Sequence, residues 1–183
     1  MIQLEPGSVE HVAHPEEPPH SPLGFWLLAA SRNVAYVGGA IMIVLIAMSL
    51  VSIVGRKLFS MPIPGDLEIM QMGAAVAAAM FFPYCQMNDS HVRVDFFTTR
   101  LPARARAALD GVAALLLGCV MLLLSWRTTV AALASKQSGD SSVMLGLPQW
   151  LAEALIVPSL FLFALTGLYI ARRRFRLAFR GTK

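Results

Sequence analysis

The chain has 183 residues, and its charged side chains are kept out of long apolar stretches. Residues 34–54 and 69–88 contain no Asp, Glu, Lys, Arg or His, and residues 107–129 and 152–171 carry charges only near their ends. A helix of about 20 residues crosses a hydrocarbon layer about 30 Å thick. The pattern predicts an all-α integral membrane protein, whose four transmembrane helices occupy these stretches within a membrane domain over residues 34–171.

The segments outside this domain differ from one another in composition. Residues 1–20 are acidic and rich in proline, without Lys or Arg, which predicts a disordered tail. Ser21 followed by Pro22 is typical of a helix start, and the short apolar run behind them predicts an interfacial helix over residues 21–33, or alternatively a membrane-parallel extension of the next helix. Residues 172–183 are rich in arginine and predict a basic cytoplasmic tail.

The distribution of Lys and Arg predicts the orientation in the membrane. Of the 15 Lys and Arg residues, only Arg56, Lys57, Arg127 and Lys136 lie on one side of the four predicted helices. The rest lie with the two termini and with residues 89–106. Because Lys and Arg accumulate on the cytoplasmic face, we expect both termini in the cytoplasm.

The composition excludes a soluble protein and gives no support for nucleic-acid binding. Hydrophobic residues make up 56% of the chain and charged residues 14%, against about 45–50% and 25% in soluble domains. The net charge of +4 comes from basic residues that flank apolar helices. Such residues orient a membrane protein and do not form a basic binding face.

The residue types that support chemistry in a membrane are missing. A proton-coupled exporter would need a carboxylate inside a span, and a haem-bearing anchor would need paired histidines on facing spans. Of the four histidines, only His91 lies outside the N-terminal tail. The ten methionines are scattered, and the two cysteines lie in apolar stretches. We therefore predict no enzymatic activity, no cofactor and no metal site.

The second predicted helix, residues 69–88, which we call helix two, carries small residues at helical spacing. Gly73 and Ala77 are four residues apart and lie one above the other on a helix. Small residues allow close approach of a neighbouring helix in a membrane. This face is predicted to pack either inside the protein's own bundle or against a partner.

Taken in order, several short motifs resemble one family, the small membrane subunit of tripartite ATP-independent periplasmic (TRAP) transporters of the DctQ type. The resemblance covers residues 34–171 in order, spacing and size. The matching pieces are Arg56, Pro64-Gly65-Asp66-Leu67-Glu68, Phe82-Pro83-Tyr84-Cys85-Gln86, His91-Val92-Arg93-Val94-Asp95, Leu101-Pro102, residues 142–148 with Trp150, and Pro158.

The resemblance implies a bacterial inner-membrane protein that works with two partners. In such transporters a large permease subunit carries the substrate and sodium sites, and a periplasmic binding protein delivers an organic acid. The small subunit is then a non-catalytic brace for the large one.

The residues on which the resemblance rests are candidates for structural ties or partner contacts. In the loop after helix two, we expect His91, Arg93 and Asp95 to form charge-assisted hydrogen bonds to helix ends or to the large subunit. The full set is Arg56, Asp66, Glu68, Gly73, Ala77, His91, Arg93, Asp95, Pro148 and Trp150. The alternative functions are a stand-alone four-helix exporter and a membrane anchor of a redox enzyme.

Overall fold

The computed structural model describes residues 22–59, 64–88 and 103–180, of which 103–107 and 177–180 are described by their backbone alone. These residues form four helices: α1 (Pro22–Phe59), α2 (Asp66–Met87), α3 (Ala103–Ser138) and α4 (Gln149–Arg180). Each is long and apolar enough to cross a membrane. The prediction of an all-α protein with four such helices is confirmed for the described part of the chain.

The helix ends follow from proline and glycine. Gly65 has φ 74° and precedes α2, and Gly139 has φ 72° directly after α3. These left-handed conformations suit glycine, which has no Cβ. Pro148 precedes the first residue of α4. Pro83 and Pro158 lie inside α2 and α4 without ending them.

The separate interfacial helix predicted for residues 21–33 is absent from the structure, because Pro22–Asn33 form the first part of α1. No proline follows Pro22 until Pro62, so nothing interrupts the backbone. The polar residues Ser31, Arg32 and Asn33 are tolerated in a helix. With 38 residues α1 is about 57 Å long, well beyond the thickness of a hydrocarbon layer.

Two other helices also extend past the predicted bounds. α3 continues from residue 129 to Ser138, and α4 continues from residue 171 to Arg180. Hydropathy marks where a helix can lie in lipid, whereas the backbone hydrogen bonds continue into polar sequence. The prediction therefore located the apolar parts of longer helices.

The helices form a row in the order α1, α2, α4, α3. α1 packs on α2, α2 on α4, and α4 on α3, with a short further contact between α1 and α4. Among the described residues α3 contacts neither α1 nor α2. The protein therefore consists of two helical hairpins joined through α2 and α4, and it is not a closed four-helix ring.

Each hairpin is held by a seam of small residues on its first helix. The buried residues of α1 recur every seven positions: Gly24, Ser31, Gly38, Leu45 and Ser52. On α3 the same spacing gives the buried residues Gly111, Gly118, Ser125 and Ala132. A seven-residue repeat keeps one stripe of a helix facing its partner, as in coiled coils. The sequence therefore encodes both antiparallel pairs in the same way.

Candidate functional site

Five of the candidate residues lie together where α1 and α3 end and α2 and α4 begin, which we call the loop end. They are Arg56, Asp66, Glu68, Pro148 and Trp150. The opposite end of the row, where α1 begins and α4 ends, is called the terminal end. At the loop end each of these residues occupies a helix terminus or the connection beside it.

Glu68 ties the two hairpins together. Its carboxylate accepts hydrogen bonds from the backbone N–H groups of Met144 and Leu145, at 2.9 and 3.1 Å. These residues belong to the connection between α3 and α4, 76 and 77 positions away along the chain. A carboxylate that accepts two backbone donors fixes the position of the loop on the first turn of α2.

The connection between α3 and α4 is a compact turn that presents these two donors. The Ser142 N–H donates to the Leu147 carbonyl at 2.8 Å, and the Gly146 N–H donates to the Ser142 carbonyl at 3.0 Å. The Ser142 hydroxyl accepts a hydrogen bond from the Leu147 N–H at 3.1 Å. With these internal bonds made, the Met144 and Leu145 amides are free to bind Glu68.

Gly65 is required at the loop end for two reasons. Its φ of 74° disfavours any residue with a Cβ. A Cβ at this position would also overlap the side chain of Leu145, which packs onto the turn. The turn before α2 and the connection before α4 are therefore fitted to each other by an apolar contact beside the Glu68 hydrogen bonds.

Asp66 links the first two helices. Its Oδ2 accepts a hydrogen bond from the Ser52 hydroxyl of α1 at 2.5 Å, and its Oδ1 accepts from the Leu67 N–H at 2.8 Å. The Arg56 guanidinium lies 3.4 Å from the same Oδ2. Because the Arg56 side chain is 62% exposed, solvent screens this ion pair, and we attribute the tie mainly to the Ser52 hydrogen bond.

Trp150 and Glu153 make the corresponding contacts between α3 and α4. The Lys136 ammonium lies 5.2 Å from the centre of the Trp150 ring, a cation–π arrangement. The Glu153 carboxylate accepts a hydrogen bond from the Ser135 hydroxyl at 3.2 Å. Pro148 forms a bridge with Ser141 at the base of the connection. The α3–α4 hairpin is therefore closed by polar contacts at the loop end.

A groove of about 430 Å³ opens between α2, α4 and the connection between α3 and α4. Glu68, Gln71, Gln149 and Glu153 are among its lining residues. Both carboxylates are already engaged, Glu68 by backbone amides and Glu153 by Ser135. Among the described residues no group of three His, Cys, Asp or Glu side chains could hold a metal ion.

Gly73 and Ala77 pack inside the protein, against α1. A Cβ on Gly73 would lie 2.8 Å from Leu45. Ala77 is completely buried, and its carbonyl oxygen would be 3.1 Å from a Cβ on Gly38. The small-residue face was predicted to pack either inside the bundle or against a partner. In the structure it packs inside the bundle. The remaining candidates, His91, Arg93 and Asp95, lie outside the described residues.

The close crossing of α3 and α4 involves residues that the sequence analysis did not single out. A Cβ on Gly167 of α4 would lie 3.0 Å from the Cα of Gly118 on α3, and 3.3 Å from the Ala114 carbonyl. Such backbone contact requires glycine on both helices. The seven-residue spacing of glycine on α3 was the signal that could have identified it.

Comparison with known proteins gives one family. The family described as tripartite ATP-independent periplasmic transporters, DctQ component, has a model that matches residues 45–177. This range includes the loop end, the second part of α1, all of α2 and α3, and most of α4. No curated protein and no solved structure matches the chain.

Proposed function

Because the chain belongs to the DctQ component family of tripartite ATP-independent periplasmic transporters, we propose that it braces the large permease subunit of a sodium-coupled importer. The imported substrates are organic acids that a periplasmic binding protein delivers. The protein lies in the bacterial inner membrane with both termini in the cytoplasm. The family match over residues 45–177 is the observation that carries this proposal.

The bonding of the carboxylates supports a bracing role. Asp66 and Glu68 hold helix ends and a loop at the loop end. Asp110 pairs with Arg174 at 3.8 Å near the terminal end. Each apolar helix core lacks Asp, Glu, Lys, Arg and His, the residues that ion-coupled transport uses in a membrane. Coupling to sodium is therefore assigned to the large subunit.

A brace must keep its shape while its partner moves, and the ties between the hairpins suit this role. The hairpins are joined along α2 and α4, where Phe82 and Phe163 make an edge-to-face contact with ring centres 6.1 Å apart. They are joined again at the loop end by Glu68. Two attachments separated along the helix axes oppose both sliding and splaying of the hairpins.

The partner surface is assigned to faces that the protein leaves exposed. Gly73 and Ala77 are occupied by α1. The outer faces of α1 and α3 and one broad face of α2 remain exposed, with large apolar residues such as Ile43 and Leu123 at 70% and 63%. One of these faces contacts the large subunit, and the others contact lipid.

Co-purification tests the assembly. The large permease subunit is co-expressed with an affinity-tagged form of this chain, solubilised in mild detergent and captured through the tag. We expect stoichiometric recovery of the large subunit, and none with an unrelated tagged four-helix membrane protein. Recovery of the chain alone, under conditions in which the large subunit is present and folded, would remove the basis for a bracing role.

A further inference from the structure

The charge-free parts of the four helices lie at different levels of the row. By level we mean the position along the common direction of the helix axes. Each helix has one run without Asp, Glu, Lys, Arg or His, and this run marks the part that suits hydrocarbon. The charges that bound the runs are Arg32 and Arg56 on α1, Glu68 and Asp89 around α2, Glu153 and Arg172 on α4, and Asp110 and Arg127 on α3. The midpoints of these runs can be compared along the row through the contacts between neighbouring helices.

On α1 the midpoint is Val44. The neighbouring residue Leu45 packs against Gly73 of α2. Since α1 and α2 are antiparallel, Val44 is level with Ala74. The midpoint of α2 itself falls at Ala78, one helical turn closer to the terminal end.

The midpoints of α4 and α3 lie further still in the same direction. The α4 midpoint falls beside Phe163, which contacts Phe82 of α2. The α3 midpoint falls beside Gly118, which packs on Gly167 of α4. Because α2 and α4 run parallel, Gly167 is level with Gln86, four residues past Phe82.

Across the row, the midpoints are therefore level with Ala74, Ala78, Phe82 and Gln86 of α2. The shift is about one turn, or about 5.4 Å, per helix, while neighbouring helix axes are about 9 Å apart. The shift has the same direction from each helix to the next. Such a shift is expected if the hydrocarbon layer crosses the row at an angle. The two lengths correspond to a slant of about 30°, within the range of tilts of membrane helices.

We propose that the row lies slanted in the bilayer, so that its surface for lipid hydrocarbon is an oblique belt that crosses α1 nearer the loop end and α3 nearer the terminal end. The first ten residues of α1 then project beyond the hydrocarbon on the terminal side. The segment of α3 from Arg127 to Ser138 projects on the loop side.

An upright row would bury a charge that the slant exposes. Arg127 lies two residues from Ser125, whose hydroxyl donates to the Val157 carbonyl at 3.4 Å. That level corresponds to Val76 on α2 and to Met42 on α1, close to the midpoint of the α1 run. An arginine held at the depth of the membrane centre is strongly unfavourable unless its side chain reaches the aqueous interface. In the slanted row Arg127 lies at the hydrocarbon boundary.

Two exposed valines at the same level of the row can distinguish the slanted row from an upright one. Val44 on α1 is 67% exposed and Val130 on α3 is 46% exposed. Val130 lies midway between Ser125 and Ser135, which bond to Val157 and Glu153 of α4. It is therefore level with Leu155, with Ala74 and so with Val44.

The test is a depth measurement on the full chain in phosphatidylcholine vesicles. Val44→Cys and Val130→Cys are made separately in a Cys85→Ser, Cys119→Ser background and labelled with a nitroxide. Collisions with oxygen report the hydrocarbon, and collisions with a water-soluble nickel chelate report the aqueous phase. We expect the oxygen-to-nickel ratio to be several-fold higher for the label at position 44. Equal ratios, or a higher ratio at position 130, would overturn the slant.

A second pair of label positions makes the test independent of these two variants. For this pair, the label on α3 is expected to be deeper than the label on α1. Asn33 on α1 and the native Cys119 on α3 are both exposed and lie at one level near the terminal end. Here the label at Cys119, in the Cys85→Ser chain, is expected to be the deeper one. The label at Asn33→Cys, in the cysteine-free background, is expected near the aqueous phase. Equal depths would again describe an upright row and contradict the proposal.

Discussion

The carboxylate of Glu68 accepts a 2.9 Å hydrogen bond from the backbone N–H of Met144, 76 residues away along the chain. Glu68 belongs to the first hairpin, and Met144 lies in the connection within the second. The hairpins also pack against each other along α2 and α4. At the loop end, the hydrogen bonds of Glu68 to Met144 and Leu145 are the main polar tie between them. The stability of the whole row should therefore respond to a single change at Glu68.

Glu68→Gln is expected to lower the Tm of the purified protein in detergent. The amide keeps the size of the side chain but is neutral and has only one acceptor oxygen, so one of the two backbone donors loses its acceptor and the other keeps only an uncharged one. Asp140→Asn is the control, because it removes one negative charge from an exposed position in the same connection. The same Tm for both variants would show that the Glu68 hydrogen bonds do not hold the hairpins together.

Gly167→Ala should destabilise the second hairpin. The added Cβ would meet backbone atoms of α3 at 3.0 to 3.3 Å, and backbone cannot rotate away. Overpacking of this kind costs about 1–3 kcal/mol in the free energy of unfolding. Thermal unfolding in detergent, followed by circular dichroism, measures the loss.

Gly39→Ala is the matched control for the change at Gly167. A Cβ on Gly39 meets nothing within 4 Å, and alanine is a better helix former than glycine by about 0.5–1 kcal/mol. The control should therefore leave the Tm unchanged or raise it. A Gly167→Ala protein as stable as the Gly39→Ala protein would contradict the close crossing of α3 and α4.

Ala77→Leu tests the assignment of the small-residue face to the seam between α1 and α2. Ala77 is fully buried, so a larger side chain should lower the free energy of unfolding by about 1–3 kcal/mol through overpacking. Its neighbour Ala78 is exposed, and Ala78→Leu should keep the normal Tm. If Ala77→Leu instead keeps its stability and loses only the large subunit in co-purification, the face belongs to the partner.

The sequence predicted the number and place of the helices because hydrocarbon imposes a strict requirement on residue type. It also gave Arg56, Asp66 and Glu68 as candidates for structural ties or partner contacts through the resemblance to the DctQ family, and the family match confirms the family. It did not predict what Glu68 binds, since Met144 and Leu145 offer backbone N–H groups that carry no signature in the sequence. The pairing depends on how the second hairpin folds back.

The predicted bounds separated residues 21–33 from the first apolar helix for a different physical reason, although an extension of that helix was the predicted alternative. The apolar run after Pro22 is only about ten residues long, too short to cross a membrane, and Arg32 bounded the predicted span. No proline interrupts the backbone at this point, so the helix continues through the polar residues. The row order of the helices was equally hidden, because each apolar helix could pack with any other by composition alone.

The predicted orientation can be measured by labelling from one side of the membrane. Single cysteines at Ser60 and Ser138, in a cysteine-free background, should react with an impermeant thiol reagent added to intact spheroplasts, because Lys and Arg accumulate on the opposite side. A cysteine at Ser90 should react only after the membrane is permeabilised, which also serves as the positive control. Labelling at Ser90 but not at the other two positions would invert the topology.

If this chain braces a transporter, it should not transport by itself. The measurement that tests this is sodium-driven uptake of radiolabelled mono- and dicarboxylic acids into vesicles that contain this chain, the large permease subunit and the periplasmic binding protein, singly and in combination. We expect uptake only when all three are present, and we expect no uptake when choline replaces sodium. Sodium-dependent uptake by vesicles that contain this chain alone, or full uptake by the large subunit and binding protein without it, would contradict a bracing role.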